Sequence, residues 1–400
     1  MTTTAPTPAD LLELFLVTAP GLEPALLAEA QAKGFADAVA IRGGVTVTGG
    51  WPEVWRANLE LRGATRVLAR IASFRALHLA QLDKRARRVA WGDTLRADVP
   101  VRVEASCKAS RIYHAGAATQ RIERAIAETL GAPISAEADI CVKVRIDDDL
   151  CTISLDTSGE SLHKRGHKDA VHKAPMRETL AAQLLRLSGY DGLEPVVDPM
   201  CGSGTFVIEA AEIAAGLNPG RTRSFAFERF ASFDPAVWER MRAATPATPP
   251  TQRFYGSDRD GGAIAMSRAN AEKAGVADWV QFDQHAVSDL PRPDGPPGLV
   301  IVNPPYGARI GDPKALFPLY QALGRTLLAR FGGWRVAVVT SDAALARATG
   351  LPFAPTPLSF TNGGLRVALH TTGALPTEAT AIELVEPEAT PEDVASGLTA

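Results

Sequence analysis

The sequence lacks any apolar run approaching the ~18–20 residues that cross a bilayer, lacks a basic leader, and is poor in cysteine. Each shortage removes a class of protein. The opening MTTTAPTPADLLELFLV has no cationic n-region and carries Asp10 and Glu13, so a secretory signal is not expected. Cys107, Cys141, Cys151 and Cys201 show neither metal-type spacing nor disulfide density. A reduced, cytoplasmic protein with no metal site is the reading that follows. There is no Gly-Lys-[Ser/Thr], which excludes a P-loop. Nor is the dinucleotide fingerprint complete, because Val207 stands where the third glycine of GxGxxG belongs. Sequence repeats and low-complexity core segments are absent as well.

What is present describes a globular chain. Hydrophobic residues make up 46% and charged residues 22% of 400 positions, enough for roughly two or three domains with sizeable cores. The net charge of −3 conceals an asymmetry. Residues 61–180 hold 21 Lys+Arg against 15 Asp+Glu, which leaves 21 against 30 for the remainder. A basic middle in an acidic protein points to a polyanion held by one domain, against the simpler alternative of a solvated surface.

Along the chain, the first 157 residues alternate strand and helix patterns. LELFLVTA, VTVTGG, ATRVLARIASF and VPVRVEAS read as strands, and GLEPALLAEAQAKG as a helix with Gly34 at its C-cap. WPEVWRANLELR, a stretch around 79–91 and Ala117–Leu130 read as further helices. ADICVKVRI and LCTISLDT form a hairpin about the acidic turn Asp147–Asp149. The pattern suggests small α+β units of the ferredoxin-like sort. Residues 156–178 differ: four Lys/Arg and three of the seven histidines fall within 163–173, which reads as a linker with a cationic face. From 180 onward strands alternate with helices, the grammar of a doubly wound, mostly parallel sheet. A late hairpin is expected about Asn362-Gly363. The stretch after 375 has six acids and no basic residue, the composition of a disordered acidic tail.

Three strand ends carry the chemistry. VVDPMCGSGT ends a buried strand at Asp198, and its glycines let backbone approach a ligand while the following helix offers free N–H groups. FYGSDRD brings Asp258 to a second strand end about 60 residues later. A carboxylate there accepts from vicinal ribose hydroxyls, although Asp258 or Asp260 could equally cap the next helix. VIVNPPYG, residues 300–307, stops a strand on a double proline that cannot donate to a ladder. Asn303 and Tyr306 would then sit on a rigid ledge at the carboxyl edge of the sheet.

Taken together, DPMCGSGT, GSD and NPPY resemble class I S-adenosylmethionine methyltransferases that modify amino groups through an (Asn/Asp/Ser)-Pro-Pro-(Tyr/Phe) motif. An exocyclic amine is a poor nucleophile because its lone pair is delocalised. The Asn303 side-chain oxygen and the Pro304 carbonyl can hold its two hydrogens, Pro305 stiffens the ledge, and Tyr306 can stack on the base. The stretches DTSGESLHKRG, APMRETLAA, DPMCGSGTFVIEAA and NPPYGARIGD further resemble RNA guanine-N2 methyltransferases with a THUMP domain, over about residues 11–372.

That resemblance implies a ferredoxin-like domain at 10–75, a THUMP RNA-binding domain at 76–157, a basic linker at 158–180, a Rossmann-like methyltransferase domain at 181–375 and a tail at 376–400. It implies S-adenosylmethionine at Pro175, Arg177, Thr179, Asp198, Cys201, Gly202, Ser203, Gly204, Thr205, Asp258 and Arg259. Asp283, His285 and Ala286 would lie at the adenine; the family's usual acid there is replaced by His285 unless Asp283 serves. RNA would lie against Lys108, Arg111, Lys164, Arg165 and Lys168, while His167 stands where relatives often carry an aromatic. The implied product is N2-methylguanine in 23S rRNA, made by a monomer. Alternatives are a tRNA acceptor stem, an N6-adenine DNA or glutamine-N5 substrate, and an RNA-binding module without activity.

Overall fold

Alternation of apolar and polar residues builds the first half. In LELFLV, Leu14 and Leu16 are fully buried, and the segment forms β1 (Leu12–Val17). The computed structural model describes residues 11–167, 176–243, 247–306 and 313–377. After β1 come α1 (Glu23–Ala32), β2 (Val39–Ile41), β3 (Gly44–Gly49), α2 (Trp51–Glu60), β4 (Arg66–Arg75) and α3 (Leu79–Ala86). Next are β5 (Val101–Lys108), α4 (Ala115–Thr129), β6 (Ile140–Asp147) and β7 (Leu150–Asp156). The seven strands form one sheet ordered β2-β3-β1-β4-β7-β6-β5, in which only β5 and β6 run parallel. The antiparallel β4–β7 pair therefore joins the segments expected as separate ferredoxin-like and THUMP units into a single sheet.

Two local departures have physical causes. Helix α3 stops at Ala86 rather than near residue 91, because the Trp91 indole donates to the Ala86 carbonyl at 3.0 Å and a short 3₁₀ turn follows. Strand β2 has three residues, too short to show a period in the sequence. The β6–β7 hairpin turns where expected, with Asp148 and Asp149 both at positive φ, a conformation aspartate tolerates.

The second half contains α5 (Glu178–Leu187), β8 (Val196–Asp198), α6 (Thr205–Ala214), α7 (Pro235–Ala243), β9 (Phe254–Asp258) and α8 (Gly261–Ala274). It continues with β10 (Val280–Gln284), β11 (Leu299–Val302), α9 (Pro313–Arg330), β12 (Arg335–Thr340), α10 (Ala343–Ala348), β13 (Leu358–Asn362) and β14 (Leu365–Thr371). The sheet order is β10-β9-β8-β11-β12-β14-β13; the first five strands are parallel, and β14 is antiparallel to both neighbours. This is the doubly wound α/β fold, with one apolar core on each face. The late hairpin turns one residue beyond the expected Asn-Gly: Gly363 and Gly364 take the positive φ values, and Asn362 remains the last residue of β13.

The order reverses between β8 and β11, and a ligand crevice forms outside the strand ends at such a switch point. Asp198 ends one of these strands and Asn303 follows the other. The halves also interpenetrate. Leu22 is buried in the core of the second half, while Phe225, Phe227 and Trp238 are buried against α2 and the first sheet. Among the described residues no helix is long and apolar enough to cross a membrane.

Candidate active site

The glycine turn after β8 is held from three sides. Within it, the Gly204 amide donates to the Cys201 carbonyl at 2.8 Å, and the Cys201 amide donates to the Ser257 carbonyl at 2.9 Å. Gly202 and Gly204 both adopt left-handed φ, +55° and +82°. A Cβ at Gly204 would crowd Phe282 and Ser267 at 3.0–3.1 Å, whereas one at Gly202 would meet nothing within 4 Å. The turn thus packs on one side and opens on the other. Helix α6 starts at Thr205 without a side-chain cap, and the Thr205 hydroxyl donates to the Met176 carbonyl at 3.5 Å. Behind the turn, the Ser267 hydroxyl donates to the Gly202 carbonyl at 2.9 Å and the Asn270 amide to the Ser203 carbonyl at 3.1 Å. These two α8 residues escaped the sequence reading, although their i, i+3 spacing puts them on one helix face.

Two acids meet at the turn. Asp260 caps α8 by accepting from the Gly262 amide at 2.9 Å. That leaves Asp258 to accept from the Gly202 amide at 3.1 Å and from the Asp260 amide at 3.0 Å. Asp198 is buried and accepts from the Met200 amide at 3.1 Å. Its burial pushes the carboxyl up to about 8 against the pull of that amide, and the nearby Asp258 pushes the same way. Burial likewise keeps Cys201 a neutral thiol, 3.8 Å from the Ser267 hydroxyl.

The ledge follows a fully buried β11. In the parallel register β11 carries Val300 beside Val197, so Asn303 stands about two residues, roughly 7 Å, past the level of Asp198. The Asn303 Oδ1 is buried and has no hydrogen-bond partner among the described residues. Beneath the ledge, the buried Tyr320 hydroxyl donates to the Pro305 carbonyl at 3.3 Å. Tyr306 is partly buried against both cores, and burial raises its phenol pKa, with the Asn362 side chain pulling weakly the other way. The ledge is thereby braced below and at its aromatic end while one acceptor is left open.

Asp283 and His285 line one cavity with Tyr255, Ser257, Pro291 and Pro293. Asp283 accepts from the Gln281 side chain at 2.6 Å, and the His285 amide donates to the Asp258 carbonyl at 3.1 Å, which ties this wall to the second strand end. Ala286 and Arg259 are exposed beside it. Thr179 is buried in the first turn of α5 and Arg177 is the exposed residue before it; Pro175 lies outside the described residues.

The structure corrects the expected RNA face at Arg165. Its side chain is buried, donating to Glu209 at 3.0 Å and to the Leu162 and Arg62 carbonyls at 2.9 Å. Arg62 itself bridges Glu209 and Glu212 at 2.9 and 3.0 Å, and Arg221 joins Glu212 at 2.6 Å. Burial would raise the Glu212 carboxyl, but Arg62 and Arg221 outweigh it and hold it below the ordinary carboxylate range. His167 is buried 3.7 Å from Glu212, and burial lowers its pKa, so it neither stacks nor carries charge at neutral pH. Lys164 is exposed and pairs with Glu160 at 2.7 Å; Lys168 lies outside the described residues. Lys108 and Arg111 are exposed at the Asp147–Leu150 end of the sheet, opposite the Asp156 end from which the linker leaves. Among the described residues, the expected cations therefore form no single patch.

Comparison with known proteins fits this arrangement. Residues 165–356 match the family described as RMKL-like, methyltransferase domain, and residues 13–68 match the RlmL ferredoxin-like domain. SMU.472, named as a candidate methyltransferase and crystallised with SAH, is 28% identical, with a TM-score of 0.83 over 92% of this chain and 100% of its own. A Listeria monocytogenes protein named as a predicted N6-adenine-specific DNA methylase is 29% identical, with a TM-score of 0.83 over 92% and 97%. TrmN from Thermus thermophilus is 25% identical, with a TM-score of 0.72 over 91% and 100%. Residues 165–356 are a methyltransferase domain, and the chain is similar to RlmL in its first segment and to TrmN along most of its length.

Proposed function

We propose that this methyltransferase uses S-adenosylmethionine to methylate the exocyclic N2 amine of a guanine in RNA, with 23S rRNA as the first candidate and a tRNA acceptor stem as the second. One observation carries the reading: a buried Asn303 Oδ1 without a donor among the described residues, at the switch point of a doubly wound sheet. A buried acceptor left unmade costs about 1–3 kcal/mol. An N–H donor from a bound substrate would recover that cost.

The residues fit the cofactor. Gly202 opens toward the crevice with no atom where a side chain would stand, Asp258 offers carboxylate oxygens beside it, and the cavity at His285 and Asp283 continues from the second strand end. Bound S-adenosylmethionine supplies an activated methyl group. The chain supplies alignment. Asn303 Oδ1 and the Pro304 carbonyl would accept the two amine hydrogens and draw the nitrogen out of conjugation. Tyr306 would limit the base to one plane. The buried Val302 and the Tyr320 bond to Pro305 keep the ledge from yielding.

Support for RNA comes from the first half. Its RlmL-type ferredoxin-like segment is fused through one sheet to residues 76–157, which we take as the THUMP unit, and Lys108, Arg111 and Lys164 remain exposed for phosphate contact. The test is mass-spectrometric mapping of methylated nucleosides in rRNA and tRNA from a strain deleted for this protein. Loss of one N2-methylguanine, restored by wild type but not by Asn303→Ala, is expected. Intact N2-methylguanine with loss of N6-methyladenine from the same strain's DNA, mapped in parallel, would replace this reading with the alternative suggested by the Listeria neighbour's name.

A further inference from the structure

A cavity of about 590 Å³ opens between β4 and the end of α3, and its charge is of one sign. Half-buried Ile71 and Phe74 form its apolar side, and exposed Lys84, Arg85 and Arg88 its cationic side, with no carboxylate in the lining. Two departures from a regular sheet create the space. Among the described residues β4 pairs with β1 only as far as Arg70, and the β4–β7 register slips between Arg70 and Ala72. The bulge bends a strand that has no neighbour left on that side. Gln81, Lys84, Arg85 and Arg88 follow the i, i+3, i+4, i+7 spacing of one helix face, while Leu82 and Ala86 of α3 are buried behind them. The neighbouring Arg87 pairs with Asp83 at 2.8 Å and with Glu128 at 2.6 Å. Among the described residues Lys84, Arg85 and Arg88 have no acid of their own; the Arg85 guanidinium instead lies 5.9 Å over the Phe74 ring.

We propose that this cavity holds an unpaired stretch of the acceptor RNA, with phosphates on Lys84, Arg85 and Arg88 and one base on Phe74. The inference rests on the proposed function for the identity of the polymer. Cations without acids beside them attract a polyanion, and each phosphate they contact releases counterions. The ring selects single strands: a base in a duplex is stacked on both faces, whereas an unpaired base can lie on an aromatic side chain. Strand register extends the site. Arg75, next to Phe74, pairs with Leu150, Leu150 with Asp147, and Asp147 with Lys108. Exposed Lys108 and Arg111 therefore stand at the same end of the sheet, three strand spacings or roughly 14 Å across. A strand leaving the cavity across this end would meet them.

Fluorescence anisotropy with a labelled oligouridylate tests the site in wild type, Phe74→Leu and the triple variant Lys84→Gln, Arg85→Gln, Arg88→Gln. The slope of log affinity against log salt should be shallower by about 2 in the triple variant, since a single strand gives roughly 0.7 per contact. A fourfold rise in salt then weakens wild type roughly 16-fold more than the variant. Phe74→Leu, which keeps the cavity apolar, should bind roughly 10-fold more weakly at every salt concentration with an unchanged slope. A duplex of the same length should not register that substitution. In methyl transfer to total RNA from the deletion strain, the triple variant should raise KM and keep kcat, the signature of lost uniform binding. A second triple variant, Arg240→Gln, Arg325→Gln, Arg347→Gln, removes exposed cations outside the cavity and should bind as wild type. An equal loss in that control, equal affinity for polyglutamate, or wild-type binding by the cavity variants would overturn the inference. Asn303→Ala separates it from the proposed function. If the cavity variants bind as wild type while Asn303→Ala is inactive on RNA, only the grip fails. If Asn303→Ala methylates RNA fully while the cavity variants bind weakly, the ledge is misread and the grip stands.

Discussion

Asp198 is the residue whose chemistry depends most on burial. The motif DPMCGSGT made it a strand end facing a ligand, but nothing in those letters says that its carboxyl is sealed from water beside a second acid. Because its pKa is raised on folding, the folded state binds the proton more tightly than the unfolded chain. Stability from this group is full below about pH 4 and falls as pH climbs toward about 8, by at most about 1.4 kcal/mol per pH unit. In the ligand-free protein, urea midpoints should therefore drop between pH 5 and pH 8. Asp198→Asn should flatten that decline. A stability difference between wild type and Asp198→Asn that stays constant from pH 5 to pH 8 would contradict the assignment. Asn303 was legible from sequence for a different reason: a double proline after a buried run leaves few conformations, so type and place are both written in VIVNPPYG.

At the level of elements, the strand and helix periods anticipated most of what forms, since amphipathic segments carry their own signal. What they hid was partnership. HKRGHK looked like a cationic surface because charge alone does not reveal an acid about 44 residues away on α6. Glu209 and Glu212 lie on the buried face of that helix, three residues apart, ready for Arg62 and Arg165. Arg165→Ala would leave Glu209 with one fewer cation in a water-free setting, and removal of one partner from such a pair costs about 3–5 kcal/mol. Denaturant unfolding should register that loss. The salt dependence of RNA binding by the folded variant should match wild type, because a buried guanidinium releases no counterion. A flatter slope would return Arg165 to the surface role first expected of it. The segment 221–243 was silent in sequence for a similar reason: its aromatics find their partners, such as Trp55 and Trp51, only in three dimensions.

Across the whole molecule, two halves of different grammar share cores, ions and one strand contact. Gly21 is the tightest point of that junction. Gly21→Ala would place a methyl group against β13 at a left-handed φ, costing roughly 1–3 kcal/mol. It should also speed amide exchange at Thr361, the residue bonded to Pro20, and unchanged exchange there would mean that the junction does not restrain β13. The seven-stranded sheet has a consequence of its own. Since β4 and β7 stitch its two parts together, and Arg62 and Leu22 pin it to the methyltransferase domain, the exposed Lys108 and Arg111 stand at a set span from Asn303. Such a frame works as a ruler: an RNA gripped at the far end of the sheet would offer its guanine by length along the fold, so that the distance between grip and ledge, more than the bases around the target, would choose the site.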